Sequence, residues 1–243
     1  MRLGAEVATA PVDYVAHYGV SKGWLLKPRS VLVEGTSDVA LFGLAAALYG
    51  KGRGKDLLAD LAIVAAGEGD RGGTQGVVRE LLGLRAIASA YLAPSGRPVY
   101  RFIGLFDNDT PGQKAVNLAR SADTSILEYR DIFRLRPVMP ILGNLDPGTA
   151  QRGFEKANEA YKGMRWEVED LMGEGLMQLF LEENPTALVR EFRMGDACHR
   201  ELTRDGKARL VRFCRENADL ASVKGLVDTL HALRCYMVLP DLR

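Results

Sequence analysis

Asp107 and Asp109 are the residues of this chain whose type and spacing best suit them to chemistry. They follow a mostly apolar run, Arg101-Phe102-Ile103-Gly104-Leu105-Phe106, and precede Pro111-Gly112, which would break an extended chain. Side chains at i and i+2 of a strand share a face, so both carboxylates point the same way from its tip. Two like charges that close are relieved when one protonates or when a cation sits between them. Oxygen-only ligands with open positions suit Mg²⁺ or Mn²⁺ better than zinc. Asp-Asn-Asp before Pro-Gly is also good turn chemistry, so this stretch alone leaves a solvated turn as the alternative. A second acidic motif favours the metal reading. Glu34 ends the apolar run Ser30-Val31-Leu32-Val33, and Asp38 falls in the first turn of the helix expected next, capped by Thr36 or Ser37. There Asp38 would also complement the helix dipole.

The elements that must position these acids alternate. A second buried strand over 61–66 runs into Gly67-Glu68-Gly69-Asp70-Arg71-Gly72-Gly73-Thr74, with a helix expected over 75–91. Glycines at such a turn let backbone N–H groups approach a phosphate, which makes Gly67 and Gly69 candidate contacts; a tight connection uses glycines in the same way. A third strand covers 98–106 with its helix beginning at 113, and a fourth covers 132–136, stopped by Pro137. Strands alternating with helices predict an α/β fold with a parallel sheet, whose ligands bind beyond the carboxyl ends of the strands. Glu34, the glycine loop, Asp107 and Asp109 all fall on that edge. Residues 1–29, with a short helix over 11–18, read as a lead-in packed on a core over 30–140. Residues 141–243 read as mostly helical, with helices over 176–183, 187–192, 207–217 and 222–236, and with the alternating acids of Arg165-Trp166-Glu167-Val168-Glu169-Asp170 ahead of them. Basic residues outnumber acids between Arg193 and Arg215, so Arg204, Arg209 and Arg212 are candidate phosphate-backbone contacts, with a solvated helix face as the alternative.

Composition narrows the class. With 243 residues, 47% hydrophobic and 26% charged, the chain can bury a full core. A formal net charge of +1 gives no global attraction for nucleic acid, so any such surface must be local. The three cysteines, Cys198, Cys214 and Cys235, lack a C-x-x-C spacing, which excludes a zinc ribbon and fits free thiols in a reducing, cytoplasmic setting. No apolar run has the length of a membrane span. Gly50-Lys51-Gly52-Arg53-Gly54-Lys55-Asp56 is one residue short of a phosphate-binding P-loop, has Asp where that loop has Ser or Thr, and leaves a helix instead of entering one.

A strand followed by Glu34-Gly35-x-x-Asp38, then a glycine loop, then a strand followed by Asp107-x-Asp109-x-x-Gly112 resembles the Toprim domain of topoisomerases, bacterial primases, ribosomal-RNA maturases, recombination mediators and the OLD-family (overcoming lysogenization defect) nucleases. The resemblance spans residues 30–136 and implies a Rossmannoid core. The nucleases fit best, because they pair these two motifs with a downstream Glu-x-Glu-Asn-like segment. Glu167-Val168-Glu169-Asp170 looks like that segment, with Asp170 where the family usually has Asn. The family also uses a downstream lysine, which Lys207 or Lys224 would match. Its ATPase portion has no counterpart here, so the resemblance implies a separate ATPase partner and a setting in phage defence or repair. Primase and topoisomerase chemistry are disfavoured, for want of a zinc module, gate domains or a nucleophilic-tyrosine region.

The resemblance implies Mg²⁺- or Mn²⁺-dependent hydrolysis of DNA or RNA, DNA favoured. Glu34, Asp38, Asp107, Asp109 and one of Glu167 or Glu169 would serve as ligands, and a lysine would balance charge in the transition state. The alternatives are a non-catalytic nucleic-acid-binding module, or primer or strand-joining chemistry within a larger complex; oligomers are compatible with each.

Overall fold

Strand β1 (Arg29–Val33) lies inside a four-stranded parallel sheet in the computed structural model, which describes residues 12–67 and 73–243. The sheet order is β2 (Ala62–Ala65), β1, β3 (Arg101–Phe106), β4 (Ile132–Arg134), with Val31 opposite Ile63 on one side and Ile103 on the other. Both faces of these strands are apolar, as a parallel sheet covered on two sides requires. Val31, Val33, Ile63, Ile103, Leu105 and Phe133 pack against α2 (Thr36–Arg53) and the C-terminal helices. Their alternates Leu32, Ala62, Val64, Phe102, Phe106 and Ile132 face α3 (Gly73–Ala88) and α4 (Thr110–Ala122). Helix α1 (Tyr14–Ser21) packs on α3.

This order contains a reversal. The chain leaves β1 through α2 to reach β2 on one side, and leaves β3 through α4 to reach β4 on the other. α2 and α4 lie on opposite faces, so the loops after β1 and β3 diverge and leave a crevice at their carboxyl ends. Glu34 and Asp107 are the first residues past those two strands.

Residues 141–243 share the core of the first sheet face. They form α5 (Pro147–Ala157), a 3-10 turn over Val168–Leu171, α6 (Glu174–Glu183), strands β5 (Leu188–Met194) and β6 (Ala197–Leu202), α7 (Arg204–Asn217) and α8 (Lys224–Tyr236). Tyr236 of α8 stacks on Phe133 of β4 with ring centroids 4.5 Å apart. The guanidinium of Arg234, buried at 2% exposure, donates to the carbonyl of Leu57 at 2.8 Å and pairs with Asp60.

Two local expectations are corrected. Residues 187–192, expected as a helix, begin an antiparallel hairpin: Met194 pairs with Ala197 across Gly195-Asp196, and Gly195 takes φ +62°, the positive value such a two-residue turn needs. Cross-strand pairs Arg190–Glu201 (2.6 Å) and Glu191–Arg200 (2.9 Å) hold it, an ionic ladder that apolar periodicity does not register. The N-cap of α2 is Gly35, not Thr36 or Ser37, because the Asp38 carboxylate accepts from the Gly35 N–H at 2.9 Å and closes the helix start from within. No helix among the described residues is long and apolar enough to cross a membrane.

Candidate active site

The crevice between β1 and β3 gathers acids from three separate parts of the chain. The backbone N–H of Asp107 points to Glu34 Oε1 at 3.4 Å. Asp109 caps α4, its Oδ1 accepting from the Gly112 N–H at 2.7 Å, with Pro111 in the first helical turn. Gly112 is required there, since a Cβ would run into the carbonyl oxygen of Asp107. The turn chemistry and the acidic cluster are therefore one feature: the tight cap holds both aspartates at the strand's tip.

Asn108, between them, fastens the downstream acids to the sheet. It is buried, its N–H donates to the carbonyl of Trp166 at 2.8 Å and its side-chain amide to that of Met164 at 2.6 Å. Asp170 braces the same segment from the other side. Its carboxylate accepts from the N–H groups of Glu167 (2.8 Å) and Arg200 (2.9 Å) and meets His199 Nδ1 at 2.7 Å. Glu167 and Glu169 are left pointing at Lys207 Nζ, 2.8 and 3.2 Å away. Lys207 lies in the first turn of α7, which Thr203 caps. Lys224, the other lysine considered, is paired with Asp228 on the exposed side of α8, 2.5 Å apart.

Six carboxylates thus face little positive charge. Burial first, then the charges of Asp38 and Asp109, pushes Glu34 up to about 7 against the opposing N–H of Asp107. Burial followed by Glu34, Asp38 and Glu169 holds Asp107 well above the usual carboxylate range. Burial also lifts Glu169 to about 7, against the pull of Lys207, and raises Asp38 and Asp109. For Lys207, burial opposes the charge, but Glu169, Glu167 and Asp107 outweigh it and keep the ammonium protonated. Arg165 adds a second cation beside Asp109. Sequence reasoning missed Arg165, and it missed the bracing roles of Asp170 and His199; the Glu-x-Glu-Asp spacing was the available signal for Asp170, and nothing local marks His199.

Among the described residues, no three Asp, Glu, His or Cys side chains are arranged so as to hold a metal ion. Four of the carboxylates are engaged with the protein's own donors: Asp38 with the Gly35 N–H, Asp109 with the Gly112 N–H, and Glu167 and Glu169 with Lys207. The donor set nevertheless fits a hard divalent cation. It consists entirely of carboxylate oxygens, and Glu169 Oε1 is buried with no hydrogen-bond partner. A cation would replace unfavourable burial and repulsion with coordination, provided Lys207 turns aside from Glu167 and Glu169.

The candidate phosphate contacts are scattered. Gly67 ends the β2 connection, and α3 packs so closely on it that Gly76 could not carry a Cβ without striking the Ala66 carbonyl. Gly69 lies outside the described residues. Arg204 and Arg212 are exposed on α7, and Arg209 pairs with Asp205 at 2.9 Å. At about 100° per residue, Arg209 and Arg212 sit well round the helix from Lys207 and so away from the acids. Arg193 and Arg200, in the same basic run, are neutralised by Glu174 and Glu191. Cys198 and Cys214 are buried free thiols and Cys235 is half-buried.

No protein-family model, curated protein or solved structure matches this chain. What the fold defines is its class: an α/β protein with a four-stranded parallel sheet flanked by helices.

The raised carboxyl groups make metal-free stability depend on pH. A carboxyl whose folded pKa is raised stabilises fully below its unfolded value and loses that contribution as pH climbs through the folded one. For Glu34 and Glu169 the window runs from 4.5 to about 7. His199, raised by Asp170 against its burial, acts in the same direction, and His231, lowered by burial, acts oppositely. In EDTA, denaturant unfolding should show lower stability at pH 8 than at pH 5. Glu169→Gln should remove about 3 kcal/mol of that difference. An identical pH dependence in parent and variant would show that Glu169 is not held protonated.

Proposed function

We propose that this protein is a Toprim-like, Mg²⁺- or Mn²⁺-dependent nuclease that hydrolyses phosphodiester bonds, DNA favoured, at the crevice between β1 and β3. The observation that carries the reading is the meeting of Glu34, Asp38, Asp107 and Glu169 with Lys207 at the point where strand order reverses, drawn together from four chain segments. In this reading Glu34, Asp38, Asp107, Asp109, Glu167 and Glu169 would hold the cation. Bound there, it would polarise a phosphoryl oxygen and acidify a water. Lys207, released from Glu167 and Glu169, offsets the charge that gathers on phosphorus-bound oxygens. Asp109 keeps its cap and fixes the approach to the strand tip, while Asn108 and Asp170 hold the two glutamates in place. The same resemblance implies an ATPase partner.

A second reading is favoured by the clasp on Lys207: with two acids already neutralised, the same edge could serve a non-catalytic module that binds nucleic acid. Incubating the protein with supercoiled plasmid and with RNA, in Mg²⁺, Mn²⁺ or EDTA, separates the two. The nuclease reading expects cleavage in a divalent cation, none in EDTA, and none by Glu34→Gln. Binding without cleavage under every condition would leave the second reading.

A further inference from the structure

A cleft of about 640 Å³ opens beside the acidic crevice, on the same edge of the sheet. Its position follows from the strands. The Leu135 N–H donates to the carbonyl of Phe106 at 2.8 Å, so Arg136, on the cleft wall, falls alongside Asn108, between the two active-site aspartates in sequence. The opposite wall includes Lys162 and Gly163, which lead directly into Met164 and Trp166, the residues whose carbonyls hold Asn108.

The lining is cationic and aromatic. Arg136, Arg152, Lys156 and Lys162 face only Glu155 and Glu159. Lys156 and Lys162 are exposed and, among the described residues, make no ion pair, unlike the arginines of the hairpin. Tyr161 supplies a partly exposed ring, while Tyr129, buried in the core, forms part of the wall. Tyr129 lies against Phe154 with centroids 5.1 Å apart, and its φ of +67° is a left-handed conformation that a bulky residue rarely takes. Such outliers persist where surrounding structure imposes them and gather at ligand sites. Tyr161 is fixed by its hydroxyl, which donates to Asp196 at 2.5 Å. Free cations beside a fixed ring are what an unpaired strand uses: phosphates meet the cations, and a base, whose face a duplex hides, stacks on the ring.

We propose that this cleft binds a single-stranded stretch of nucleic acid and leads its backbone to the acids at the tips of β1 and β3. The placement rests on the nuclease reading for its purpose but not for its test. Binding of a labelled oligothymidylate is measured in EDTA, by anisotropy across a range of salt, for the parent and for Lys156→Glu/Lys162→Glu. The variant should bind about tenfold or more weakly, and its log–log salt slope should flatten by about 1.4, the share of two phosphate contacts on a single strand. Both lysines are exposed, so the melting temperature should not move; if the reversal does not fold, Lys156→Gln/Lys162→Gln should show the same effects at smaller size.

Mn²⁺-dependent hydrolysis of bis(p-nitrophenyl) phosphate, too small to need the cleft, reads the acids separately and should be equal in parent and variant. Unchanged oligonucleotide affinity and slope would overturn the cleft while leaving hydrolysis by the parent to support the nuclease reading. Loss of binding in the variant, with no hydrolysis by the parent, would uphold the cleft and sink the nuclease. An equal loss for a fully paired duplex would overturn the assignment to a single strand.

Discussion

Asp107→Asn should melt no lower than the parent in EDTA, and a few degrees higher if repulsion dominates. Asp107 is pushed toward its neutral form by burial and by Glu34, Asp38 and Glu169, so its charge costs the metal-free fold free energy. Asn keeps the shape and the turn-forming tendency while removing that charge. Relief of about 1–2 kcal/mol corresponds to a rise of roughly 2–8 °C for a chain of this size. Millimolar Mg²⁺ or Mn²⁺ should reverse the ranking. A ligand that binds only the folded state stabilises by about 2.7 kcal/mol at a hundred times its Kd, so the parent should gain clearly and the variant little. If Asp107 and its neighbours form only a solvated turn, metal should shift neither melting curve and the two proteins should melt alike.

Lys207→Met should be damaging in the opposite sense. The ammonium is the partner of Glu167 and Glu169, at 2.8 and 3.2 Å, and Glu169 is 2% exposed. Removing one member of a buried pair strands the other and costs about 3–5 kcal/mol; the 30% exposure of Lys207 places the expected loss near 3. Because Glu169 can protonate, that loss should shrink below pH 7 in EDTA. It should also shrink when Mn²⁺ is added at neutral pH, since a cation bound by the stranded glutamates replaces the lost charge. Cleavage should stay lost even so, because among the described residues no other lysine is paired with the acids of the crevice. Denaturant curves at pH 6 and pH 8, with and without Mn²⁺, check each part. A variant as stable as the parent throughout would remove Lys207 from the site.

Much of this was legible before any coordinates, for identifiable reasons. The apolar runs at 30–33, 61–66 and 101–106 are continuous because both sheet faces are covered, and their alternation with helices sets the carboxyl edge. Asp107, Asp109, Glu34 and Asp38 could be placed because each stands within a few residues of a strand end. Lys207 could not be separated from Lys224 by spacing, since the decision depends on how α7 packs, and that is fixed by contacts remote in sequence. The hairpin over 188–202 was missed because its strands are charged and largely exposed on the β5 side, leaving no apolar period to read. The cleft at Arg136, Lys156 and Lys162 was invisible for a related reason: its walls come from the end of β4, from α5 and from the segment before Met164, which only the fold brings together.

The carboxylates at the tips of β1 and β3 should take up a divalent cation. Titrating Mn²⁺ into the protein and following the free-ion electron-spin-resonance signal tests this most directly, since bound Mn²⁺ loses that signal and neither substrate nor catalysis is needed. Saturable uptake by the parent, largely abolished by Asp107→Asn and unchanged by Cys198→Ser, is the predicted result. Millimolar Mn²⁺ left entirely free by the parent, or taken up equally by Asp107→Asn, would contradict it.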